Sequence, residues 1–179
     1  MHRLSCPALA LASILFMTLC VFAQQPATLV VRGAVFKPGP WSVENLKQQF
    51  ANQIQTIKFT PAEDQLQQIG TGIPLLALIQ TVAPKTEKVP KHYDLTFLVI
   101  LEARDSYRVF FSLAELLPQC GHAQVWLIWD VGGKPLSGKE APFRLVVLSD
   151  EGHDRYIYGI ASVNLVDGNK LANQLAAGR

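Results

Sequence analysis

The stretch D-L-T-F-L-V-I-L-E-A-R-D-S-Y-R-V-F-F-S-L-A-E-L-L, residues 94–117, decides how this chain is read. Leu95–Leu101 is a nearly continuous apolar run, which predicts a strand buried on both faces. Arg104-Asp105-Ser106 is a polar turn, and Tyr107–Phe111 returns as a second strand. Asp105 fits a turn residue whose carboxylate accepts nearby backbone amides. Glu102 and Asp105 flank this hairpin, but a carboxylate pair for acid–base work needs a cleft and a shifted pKa. Ser112-Leu113-Ala114-Glu115 has the spacing of a capping box, in which hydroxyl and carboxylate each satisfy a free amide at a helix start. That role explains Ser112 without making it a nucleophile.

Downstream, Val125–Trp129 reads as a strand turned by Asp130–Gly133, and G-G-K-P-L-S (132–137) opens a hairpin. Phe143–Leu148 and Ile157–Val166 are further strands. Trp126 and Trp129 lie three apart on a strand, which predicts opposite faces, one in the core and one at the surface. Asp167–Arg179 is polar and alanine-rich and is expected to fray. Upstream, Ala27–Val35 is rich in β-branched residues, with Gly33 marking a bulge or close approach. Lys37–Pro40 is a turn, and Ser42 caps a short helix through Phe50. Ile54–Thr60 is a strand with Ile57 and Phe59 alternating against Lys58. Pro61–Gly72 fits either strand or helix. Pro74 opens a helix that stops before Pro84, and Pro84–His92 is a charged loop.

Residues 1–23 read as a leader. Met1-His2-Arg3 is basic, Leu4–Phe22 is apolar, and Val21-Phe22-Ala23 offers small residues before a cleavage at Gln24. An uncleaved anchor is the alternative. Leu19 is too bulky for a lipidation site at Cys20. Arg3 stands alone, so the leader is not of the twin-arginine kind that exports folded, cofactor-loaded proteins. The expected location is periplasmic or secreted. Residues 24–166 are read as one domain, which buries about 70% of its unfolded surface, and 167–179 as a flexible tail. The chain has 16 Lys and Arg against 14 Asp and Glu; with no basic stripe, nucleic acid is excluded as a partner. Of the three cysteines, Cys6 and Cys20 leave with the leader. Cys120 then remains alone, so an intramolecular disulfide is excluded.

Four pieces in this order resemble the oxidoreductase molybdopterin-binding domain family, the fold of sulfite oxidase. They are L-V-V-R-G-A-V-F-K-P-G-P-W-S-V-E-N-L (29–46), G-T-G-I-P-L-L-A-L-I (70–79), R-D-S-Y-R-V-F-F-S-L-A-E-L (104–116), and G-K-P-L-S with A-P-F-R-L-V-V (133–147). The resemblance spans nearly all of residues 28–166. It implies an α+β fold with a mixed β-sheet core and short flanking helices. In active members a cysteine thiolate and a pterin dithiolene hold molybdenum, and that cysteine follows the second strand. The matching window here, Ile57–Ile73, contains no cysteine. Oxygen-atom transfer at molybdenum depends on that soft donor, so no cofactor is expected, with molybdopterin as the alternative the resemblance implies. Active members also carry a leading segment rich in Asn, Arg and His, whereas here the fold begins soon after the leader.

Asp154-Arg155-Tyr156-Ile157 resembles the segment where a family arginine contacts the cofactor, so Arg155 is the candidate cofactor-binding residue. The next basic position is Tyr158 here. A lone arginine can bind a small anion; Arg155 can equally pair with Asp150, Glu151 or Asp154. Cys120, His122 and His153 form a metal set only if two loops meet, a weak zinc pattern. Three functions follow. The first is a binding or interaction module without molybdenum chemistry, its partner a protein or a small anionic ligand. The second is a molybdopterin-dependent oxidoreductase with unusual metal ligation, its pterin held by Arg155 and backbone amides. The third is a small metal or thiol-redox protein using Cys120 with His122.

Overall fold

In chain order the strands are β1 (Leu29–Gly33), β2 (Gly39–Trp41), β3 (Gln55–Phe59), β4 (Gln68–Pro74), β5 (Phe97–Ala103), β6 (Arg108–Ser112), β7 (Val125–Val131), β8 (Lys134–Pro135), β9 (Arg144–Val147) and β10 (Ile160–Asp167). The helices are α1 (Val43–Gln49), α2 (Leu75–Val82), α3 (Leu113–Leu116) and α4 (Gly168–Ala177). The computed structural model describes residues 28–61, 66–85 and 92–178. The expected leader and most of the loop Pro84–His92 lie outside the described residues. Among those described, no helix is long and apolar enough to cross a membrane.

The architecture is α+β, with two five-stranded sheets among the described residues. One runs β2-β1-β10-β5-β6, its β1–β10 pair parallel and the rest antiparallel. The other runs β3-β4-β7-β8, with β9 also on β7. Leu29 and Val31 of β1, Val163 and Leu165 of β10, Val99 and Leu101 of β5 and Phe111 of β6 turn inward and are almost wholly buried. They join one core with α2 and the second sheet.

The hairpin read from residues 94–117 is present. Asp105 accepts the Tyr107 amide at 3.0 Å, which leaves Ser106 in the left-handed region at φ 71°. The burial differs from expectation, because β5 alternates. Phe97, Val99, Leu101 and Ala103 are buried, while Leu98, Ile100 and Glu102 are half-buried. Only one face of this sheet meets the core, and the apolar run conceals that asymmetry. Burial on both faces falls instead to β7, where Val125 to Trp129 are all buried. Both tryptophans are therefore interior, which corrects the expected surface position for one of them. Trp126 lies beside Leu76 and Leu116, and Trp129 lies beside Val43 and Lys47 of α1. Opposite faces of this strand are both covered.

The undecided segment Pro61–Gly72 ends in a strand, β4. The expected turn at Lys37–Pro40 instead contributes β2, an edge strand on which Pro40 forfeits no ladder bond to a further neighbour. Gly33 makes the close approach read from sequence. At φ 91° its absent Cβ would stand 2.1 Å from the Leu165 carbonyl oxygen.

The tail expected to fray folds as α4. Strand β10 runs on to Asp167, whose carboxylate accepts the amides of Asn169 at 3.0 Å and Lys170 at 3.2 Å. Tyr93 donates its hydroxyl to the same carboxylate. The sequence reading missed this N-cap because it counted Asp167 with the polar tail. Burial works to raise the Asp167 pKa, but the Tyr93 hydroxyl and the two amides outweigh it and hold the carboxyl below its ordinary value. A depressed carboxyl stabilises the fold above that value, about 3.8, and loses the contribution as pH falls through its lower folded value. Acid should therefore unwind α4 in that window. Asp167→Asn should flatten the loss, measured as helical signal and urea stability against pH. Identical acid profiles for the two proteins would contradict this role for the cap.

Candidate functional site

Arg155 sits on the loop between β9 and β10. Its Nε donates to Asp150 Oδ2 at 2.7 Å, its Nη2 to Asp150 Oδ1, and its Nη1 to Glu115 Oε1 at 2.7 Å. The guanidinium lies 4.6 Å over the ring of Phe111. The hydrogen bond to Asp150 leads the raising of its pKa above the ordinary arginine value, with Glu115 adding to it against burial. One cation thus faces two carboxylates, and the cluster as a whole repels an anion. Asp150 is one of the three partners read from sequence. Glu115 was missed because its carboxylate had been assigned to the capping box. Ser112 Oγ does accept the Glu115 amide at 3.0 Å, but the Glu115 side chain turns to Arg155 instead. The hydroxyl of Tyr107 donates to the Asp154 backbone carbonyl and fastens the β5–β6 hairpin to the same loop.

Cys120 is exposed on the turn after α3. The amides of Cys120 and His122 both donate to the Leu117 carbonyl at 3.0 Å, which puts His122 in the left-handed region at φ 52°. His153 lies on the Arg155 loop with its ring edge-on to Tyr156, centroids 5.1 Å apart. Cys120, His122 and His153 are not brought together, and among the described residues no three His, Cys, Asp or Glu side chains are arranged to hold a metal. Cys120 does not line the depression beside Arg155. The sulfur-free window Ile57–Ile73 runs from within β3 to within β4. The residues present do not fit a thiolate-ligated molybdenum.

A second arginine escaped the sequence reading. Arg144, the first residue of β9, is 2% exposed. Its guanidinium stands 4.3 Å from the ring of Tyr158, 5.0 Å from Phe59 and 6.0 Å from Tyr156. Nη2 donates to the Tyr158 hydroxyl at 2.9 Å, and Nε is buried without a partner among the described residues. Among the described residues no carboxylate pairs with it. Aromatic faces replace the counter-ion. Burial raises the Tyr156 pKa, so its phenol stays neutral at physiological pH. Phe59 closes β3, so this cage borders the segment where the family resemblance expects a thiolate. The available signal was a lone charge inside the apolar run F-R-L-V-V.

Beneath α1 lies a cavity of about 370 Å³ lined by Val43, Lys47, Trp129, Asp130, Leu136 and Pro142. Thr71 of β4 pairs with Asp130 and Gly72 with Ile128, so Trp129 is the extra residue of a β-bulge. Lys47 Nζ lies 5.9 Å over its ring. Trp129 Nε1 and Asp130 Oδ1 are buried and find no hydrogen-bond partner among the described residues, which leaves two polar groups beside this cavity to be satisfied from outside them.

No protein-family model matches the chain, and no curated protein is detectably similar. In fold the chain is similar to the crystal structure of the sulfane dehydrogenase SoxCD from Paracoccus pantotrophus, with a TM-score of 0.56 at 18% identity. The match covers 78% of this chain and 38% of that one. The chain thus spans well under half the length of that protein, and the likeness is one of fold alone.

Proposed function

We propose that this chain is an exported domain of the sulfite-oxidase molybdopterin-binding type that keeps the scaffold without the metal chemistry and works as a binding or interaction module. The sulfur-free β3–β4 segment carries this reading. It leaves no soft donor where the resemblance requires one, and Cys120 is exposed on a different loop. The carboxylates around Arg155 support it, since they occupy the arginine that the resemblance assigns to the cofactor. The leader with its single Arg3 supports export of an unfolded chain, which a cofactor held only by folded structure cannot accompany.

A host unable to make molybdopterin tests the reading. A ligand present at a hundred times its Kd stabilises a fold by about 2.7 kcal/mol. For a domain of this size that is a shift in Tm of roughly 5–10 °C. The chain made in that host should reach the same compartment and melt within about 1 °C of the protein from the normal host. A drop in Tm of the larger size, or retention in the cytoplasm, would sink the proposal.

A further inference from the structure

The outward face of the sheet β2-β1-β10-β5-β6 exposes side chains of β1 and β6, while those of β10 and β5 between them are half-buried or, at Ser162, buried. Its cross-strand rows are Arg32, Asn164, Ile100 and Phe110, and beside them Val30, Ser162, Glu102 and Arg108. Val30 is 40% exposed and Phe110 56%, large apolar side chains for a bare surface. Glu102 accepts from Arg108 at 2.9 Å and from Arg32 at 3.3 Å. Arg104 lines the same depression and pairs with no carboxylate among the described residues. Two guanidinium groups thus flank one carboxylate, and Arg104 adds a third positive charge to the same depression. Three arginines against Glu102 leave the face locally positive.

We infer that this face docks an acidic protein partner, whose carboxylates meet Arg32, Arg104 and Arg108 while its apolar centre covers Val30, Ile100 and Phe110. Five strands about 4.8 Å apart and about five residues of about 3.3 Å each give a face of roughly 400 Å². That is below the roughly 800 Å² per partner of a standard stable complex, so the partner exchanges rather than stays. A second copy of the chain would set like charge against like. An anionic bilayer gains about 1 kcal/mol per basic side chain, too little here to hold the protein. The inference rests on the reading as an interaction module.

The full chain, carrying a photoreactive phenylalanine analogue at position 110, is cross-linked in its native host, with the analogue at exposed Lys58 on the other sheet as control. Position 110 should give one discrete protein adduct that Lys58 does not. The identified partner, purified, should bind the unlabelled chain with an affinity that falls as salt rises and is weakened about tenfold by Arg104→Glu, a variant that breaks no ion pair among the described residues. No adduct at 110, an adduct only with a second copy or with lipid, or an affinity indifferent to salt and to Arg104→Glu would overturn the inference. Failure here in a molybdenum-free protein leaves the interaction-module reading standing, whereas stoichiometric molybdenum removes that reading itself.

Discussion

Gly72→Ala should destabilise the protein by about 3 kcal/mol or more, at the severe end of single substitutions. A Cβ there would stand 2.1 Å from the Leu127 carbonyl oxygen and 2.7 Å from the Ile128 Cα. Both are backbone atoms of β7, so no rotamer change relieves the clash. The strands must separate, or the bulge that places Trp129 and Asp130 beside the cavity must be rebuilt. Gly133→Ala is the control: its Cβ meets open space, and only the positive φ of 74° is strained, for about 1–2 kcal/mol. Urea unfolding of both variants measures the difference. If Gly72→Ala costs no more than Gly133→Ala, β4 and β7 do not approach as closely as described.

Arg144 provides the second large effect, and the choice of replacement decides its size. Arg144→Ala should cost about 3 kcal/mol by opening a void among Phe59, Tyr156 and Tyr158. Arg144→Met should cost less than about 1 kcal/mol. Methionine fills most of that space, and its introduction removes a desolvated charge and an unpaired Nε, each unfavourable by itself. The cation–π contacts and the bond to Tyr158 are the offsetting loss. Nearly equal stability of wild type and Arg144→Met would mean that the charge does not hold the core together. A Met variant as unstable as the Ala variant would instead make the cation itself the stabilising element.

Local chemistry in the sequence was read well. Ser42 caps α1, and Asn45 completes its box by bonding back to the Ser42 amide. Asp105 turns the β5–β6 hairpin, and Gly33 allows β1 to lie against β10, all through contacts between near neighbours or an absent side chain. Features set by distant parts of the chain were not legible. Leu98 and Ile100 look as core-like as Val99 and Leu101, because nothing in an apolar run says that one face of the sheet goes uncovered. Trp126 and Trp129 both became interior because separate elements cover the two faces of β7. Glu115 carries a local signal for a capping box and a long-range partner in Arg155, and the long-range partner wins, since an ion pair at 2.7 Å outweighs a return bond to one amide. Arg144 had no local signal beyond its apolar neighbours. Asp167 had one, an aspartate ahead of an alanine-rich run, and it was passed over.

The direct measurement is molybdenum per chain, by elemental analysis, on protein purified from its native host without denaturation or chelators. With no thiolate between Ile57 and Ile73, molybdenum should be at background in a folded, monodisperse sample. Molybdenum close to one atom per chain, released together with a pterin, would mean that the domain holds the metal without a thiolate and would make Arg144 or Arg155 part of a cofactor site.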